Sequence, residues 1–280
     1  MINLRLLLLP ALAAVVWQSS PTNATTGGDW SLATSTPTWT GARGGRLVAG
    51  SNVSLLLLGG ADGVKLSLAA WGSSDGGGSW NEVASGPGWH PREEHAAAVV
   101  SDGVGGGLVF LAGGSSLSCE ALHCADVWVS SDGGVKWKLR TSAAGWPMRA
   151  QHAMVARGTE LVLLGGRSSD GAKLSVRNDV WVGTDDGKTW TEQSATPGWS
   201  ARRGHAALTL ADGSSLLLAG GSAYVNPGCA ECDLDASLLN DVWRASSPKG
   251  PWQLVTGSAP WPGRARFTLV QLPSGRLVLT

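Results

Sequence analysis

Tryptophan recurs along this chain at intervals of nine residues, and that beat restricts the fold more than any other feature. Trp71, Trp80 and Trp89 form one set, and Trp128, Trp137 and Trp146 form the next. Trp181, Trp190, Trp199 and then Trp243, Trp252, Trp261 repeat it, while Trp30 and Trp39 read as the tail of a further set. Only Trp17 falls outside the beat. Self-similarity at a fixed long period is the mark of a repeat architecture, in which each repeat is one supersecondary unit.

Other landmarks keep their place within each unit. Apolar runs such as Leu55–Leu58, Leu161–Leu164 and Leu216–Ala219 end in Gly59-Gly60, Gly165-Gly166 and Gly220-Gly221, and Gly113-Gly114 is the fourth such pair. Asp-Val-Trp or a relative follows, at Asp126–Trp128, Asn178–Trp181 and Asn240–Trp243. Arg stands three residues after the third Trp at Arg92, Arg149, Arg202 and Arg264, and His six residues after it at His95, His152 and His205. Ala96–Val100, Val109–Ala112, Val127–Ser130 and Lys136–Arg140 are strand-length segments separated by turn residues. Four short strands in a roughly fifty-residue unit cannot bury both faces alone, so units must stack side by side.

Arg-x-x-His, an apolar strand ending in Gly-Gly, then Asp-Val-Trp and a further Trp resembles the kelch repeat, from about Asp29 to Thr280. The resemblance implies an all-β fold, a β-propeller of four-stranded antiparallel blades around a channel. Four complete repeats are present, with parts of a closing blade. Ser73–Trp80 also matches the Asp-box pattern of propeller hairpins, Ser130–Trp137 nearly so, and Gly183–Trp190 lacks only the leading Ser. An Asp at that place can accept N–H bonds within its own turn. Trp30 is expected on a lone outer strand. An inner strand near Arg266–Leu272 and a second strand at Arg276–Thr280 begin one more blade. The expectation is an N-terminal piece of a six- or seven-bladed ring; a five-bladed ring is the alternative.

Residues 1–24 read as a signal peptide, with Arg5 ahead of the apolar Leu6–Trp17, too short for a comfortable membrane span. Residues 29–280 then form the propeller. Sequons at Asn23 and Asn52, and two close cysteine pairs, Cys119 with Cys124 and Cys229 with Cys232, agree with an oxidising, secreted or lumenal destination. Zinc would need all four thiolates at one site, whereas the pairs lie in blades that do not adjoin, so local disulfides are expected. Lys plus Arg equals Asp plus Glu at 21 each, which argues against nucleic acid as a partner, since a phosphate-tracking surface needs a basic face.

The candidate binding face comprises Trp89, Trp146, Trp199 and Trp261, in Gly/Pro-rich loops, with Arg92, Arg149, Arg202 and Arg264. Blade-to-blade packing is the competing role for both sets, and Arg203 is expected at the surface. His95, His152 and His205 could ligate a metal, but Phe267 and Gly45 hold the same place in other units, which favours packing. No cofactor or catalytic residue is assigned. A copper site of the galactose-oxidase kind would need several tyrosines, and Tyr224 is alone. The resemblance implies partner binding through loops on one face. The expected function is non-catalytic recognition of a protein or glycan; an oxidase- or sialidase-like carbohydrate enzyme is the alternative.

Overall fold

The computed structural model describes residues 4–8, 14–19, 30–34, 39, 42–50, 55–101, 107–169, 174–223, 238–272 and 274–279. The chain is all-β, and four antiparallel sheets form a four-bladed β-propeller. Blade one holds β4 (Arg46–Ala49), β5 (Leu55–Leu58), β6 (Ala70–Ser73) and β7 (Asn81–Ala84), after an N-terminal sheet of β1 (Leu4–Leu8), β2 (Ala14–Ser19) and β3 (Trp30–Thr34). Blade two holds β8 (Ala96–Ser101), β9 (Gly107–Ala112), β10 (Val127–Ser130) and β11 (Lys138–Thr141). Blade three runs through β12 (Arg149–Ala150), β13 (Ala153–Arg157), β14 (Glu160–Ser169), β15 (Leu174–Thr184) and β16 (Thr189–Ser194). Its innermost strand is split at Gln151, so that β12 and β13 both pair with β14. Blade four holds β17 (Ala206–Thr209), β18 (Leu216–Ser222), β19 (Leu238–Ala245) and β20 (Gln253–Thr256); β21 (Leu269–Gln271) and β22 (Leu277–Leu279) form a last pair.

Burial is greatest on the second strand of each blade. The second strands are continuous apolar runs because neighbouring blades cover both of their faces: every residue of β5 and of β18 is buried. The first strand of blade two, β8, alternates buried and half-buried positions before ending exposed, and the outer strands β7, β11 and β20 are largely exposed. The core therefore lies between sheets. Phe110 and Val127 of blade two pack in one cluster with Met154, Leu161 and Leu163 of blade three.

Each blade carries the same irregularity between its third and fourth strands. The register shifts at Ala70/Trp71, Val127/Trp128, Val180/Trp181 and Val242/Trp243. The N-terminal sheet shifts likewise at Val16/Trp17. Trp17 lies opposite Leu32, two residues beyond Trp30, just as Trp128 lies opposite Leu139, two beyond Trp137. β1 and β2 lie within residues 1–24, and Trp17 takes a third-strand place despite its irregular spacing. The strand at Trp30 is not alone but pairs with β2.

Candidate functional site

The recurrent arginines are interior. Arg92, Arg149 and Arg202 are 0% exposed. Each guanidinium grips a carboxylate with two nitrogens: Arg149 donates to Asp179 at 2.7 Å twice, Arg92 to Asp126 at 2.7 and 2.8 Å, and Arg202 to Asp241 at 2.6 and 2.8 Å. The same Nη1 reaches the first carbonyl of the double glycine, as from Arg149 to Gly165 at 2.8 Å. The third-strand indoles share these carboxylates, Trp181 Nε1 donating to Asp179 at 2.9 Å. Burial pushes Asp179 upward, but the bonds and charge of Arg149 outweigh it and hold the carboxyl below its ordinary value. The main chain of Arg92 bonds to Ser67 and Gly60 of blade one while its side chain anchors blade two, so the residue bridges neighbours. Blade one lacks both partners: Ala42 stands at the Arg place and Ala69 at the Asp place.

The loop tryptophans are interior as well. Trp39, Trp89, Trp146 and Trp199 are 1–4% exposed. Each meets the fourth-strand indole of the following blade edge-on, with centroids 5.9–6.1 Å apart, as in Trp39–Trp80 and Trp146–Trp190. Arg92, Arg149 and Arg202 lie over Trp89, Trp146 and Trp199 at 5.8–6.0 Å. The face named from sequence is thus mostly a set of blade joints. Only Trp261 and Arg264 are half-buried, and Arg264 Nε donates to the Pro262 carbonyl at 3.3 Å.

The histidines fill the gap between blades at the double glycine. A Cβ on Gly113 would sit 2.8 Å from Cε1 of His152, and one on Gly220 would meet Phe267 at 2.9 Å. At Gly220 the ring that fills this space is Phe267 instead of His. Burial, then the charges of Arg202 and Arg46, depress His205 to about 3. Among the described residues, no group of three or more His, Cys, Asp or Glu side chains could hold a metal ion.

The residue just before each of these rings has a different role. Gly44, Glu94, Gln151, Gly204 and Arg266 all have positive φ: Glu94 and Gln151 at 56°, Arg266 at 58°, Gly204 at 62° and Gly44 at 67°. They link amide to carbonyl around the axis: Glu94 to Gly44 at 2.6 Å, Gln151 to Glu94 at 2.9 Å, Gly204 to Gln151 at 2.8 Å and Arg266 to Gly204 at 2.7 Å. Holding a non-glycine residue so costs about 1 kcal/mol or more, and function is where such strain is kept. Side chains gather at this mouth. Glu94 accepts from Gln151, from Arg266 at 3.0 Å and from Arg167 at 3.3 Å, and Arg203 donates to Gln151 Oε1 at 3.2 Å. Arg203, expected at the surface, is 3% exposed because this network encloses it. Sequence reasoning overlooked the group, although its signal was present: one motif place changes residue in every unit.

Beside the mouth lies a cleft of about 440 Å³ between the second-to-third-strand loops of blades one and two. Val64 and Leu117, 95% and 84% exposed, stand on its two walls. Cys119–Cys124 is a disulfide that closes the second of these loops. Cys229, Cys232, Asn23, Asn52 and Tyr224 lie outside the described residues. No family model matches the chain.

Proposed function

We propose that this chain is a kelch-type recognition module that binds a protein or glycan partner through the face formed by its second-to-third-strand and blade-to-blade loops. The observation that carries the reading is the cleft at Val64 and Leu117, lined entirely by loops of that face. The opposite face presents the Asp-box hairpins, whose polar groups are spent on their own turns. Asp75 accepts from Ser79 N at 2.9 Å and Ser79 Oγ at 2.6 Å, and is thereby drawn down to about 2. Trp80 Nε1 donates to the Gly77 carbonyl at 3.0 Å. Those groups shape turns and offer little to a ligand.

The compartment belongs to the same proposal. A disulfide favours the secretory lumen or the cell exterior. Among the described residues no helix is long and apolar enough to cross a membrane.

The test is a screen of the immobilised chain against a glycan array and a displayed library of random peptides. Binders are then re-measured on Arg266→Ala, at the mouth, and Lys136→Glu, on an Asp-box turn. Binding weakened by the first change and indifferent to the second is expected. The reverse pattern refutes a loop-face module.

A further inference from the structure

The cleft walls are built by short-range bonds that force aliphatic side chains outward. In the first wall, Asp62 Oδ1 accepts from the amides of Val64 and Lys65, both at 2.8 Å, and Gly63 takes φ of 93° between them. This closes a turn with Val64 at its tip. In the second wall, Ser116 Oγ accepts from Ser118 N at 3.2 Å, Ser116 N donates to Leu122 O at 3.1 Å, and Cys119–Cys124 locks the segment behind. Leu117 is the tip. A constrained tip that shows an aliphatic chain to water has already lost the entropy that ordering at an interface would cost.

The floor and ends add chemistry. Leu66 and Pro91 extend the apolar lining, and the Arg43–Glu93 ion pair spans 3.5 Å beside it. Lys65 also lines the cleft, within electrostatic reach of the exposed Asp62 carboxylate, whose Oδ1 is bonded inside its own loop. Sugar-binding surfaces depend on exposed aromatic planes, and here the loop indoles nearest in sequence to the cleft residues, Trp39 and Trp89, are sealed in blade joints. Exposed aliphatics with a neighbouring ammonium suit a polypeptide.

Resting on the loop-face reading above, we infer that the cleft between Val64 and Leu117 receives an aliphatic side chain of a protein partner. A carboxylate next to that side chain in the partner pairs with Lys65. The occupant is therefore an acidic segment carrying Leu, Ile or Val.

The experiment uses the full chain and the displayed random-peptide library. Enriched peptides are expected to combine an aliphatic residue with an adjacent Asp or Glu. Val64→Ser with Leu117→Ser should weaken them about tenfold or more, with thermal unfolding unchanged because both tips are exposed. Lys65→Glu should weaken them strongly in dilute salt and less in concentrated salt, where screening shortens the reach of charge. Enriched peptides without acidic residues, or full binding by the Val64/Leu117 double variant, overturn the inference. If Arg266→Ala nevertheless abolishes that binding, the cleft assignment fails while the loop face stands. If only Lys136→Glu matters, both fail.

Discussion

At the scale of single residues, the decisive contrast is between charges that are closed off and charges that are not. Arg149 and Asp179 satisfy each other in a buried joint, so Arg149→Ala should cost about 3–5 kcal/mol in denaturant unfolding, most of it from the carboxylate left behind. Arg264 holds the same motif place but is half-buried and bonded to a carbonyl, and Arg264→Ala should cost about 1 kcal/mol or less. The histidines make the fold acid-sensitive. His95, His152 and His205 are buried with depressed pKa values, so below pH 6.5 the unfolded chain takes up protons that the folded chain refuses. Stability should fall from about pH 6.5 towards about 3, where His205 titrates in the folded state, by up to about 1.4 kcal/mol per pH unit for each such ring. His205→Phe copies the natural Phe267 and should make that slope shallower by one ring's share, read from urea melts across the pH range.

At the scale of elements, strand places were plain in the sequence and exposure was not. The nine-residue beat survives because two indoles and a loop indole are each fixed by the bulge and the tight hairpin between them. A Gly/Pro-rich loop such as Pro87-Gly88-Trp89 reads alike whether its indole faces water or a neighbouring sheet, so the blade joints looked like a binding surface. Trp17 stands apart from the beat because thirteen residues, not nine, separate it from Trp30. The mouth stayed hidden since only the series of backbone bonds between blades brings Glu94 and Arg266 together, 172 residues apart in sequence. Two expectations follow. A chain starting at Thr25 leaves β3 without β2, and should melt lower and associate more on size-exclusion chromatography than the chain from Met1. Opening the small loop by Cys119→Ser with Cys124→Ser should cost about 2 kcal/mol by loop-closure entropy. Peptide affinity should fall with it, as the Leu117 wall loosens.

At the scale of the molecule, the blades communicate through indole-on-indole joints. Trp146 touches Trp190 and the His152 ring of blade three and packs in one cluster with Phe110 and Val127 of blade two, so a single side chain couples two sheets. Trp146→Ala should destabilise by about 3–5 kcal/mol and separate the unfolding of blades one and two from that of three and four. Calorimetry would show one broad or two distinct transitions in place of one.

The hoop of left-handed residues around the axis gives this scaffold an unusual capacity for change. Its backbone bonds hold whichever side chain occurs there, as Gly, Glu, Gln and Arg already demonstrate. Randomising Glu94, Gln151, Gly204 and Arg266 would place four independently chosen groups, each borne by a different inner-strand start, at one spot. Such a collection would be a compact source of new receptors, because selectivity could be rewritten while the sheets beneath are left untouched.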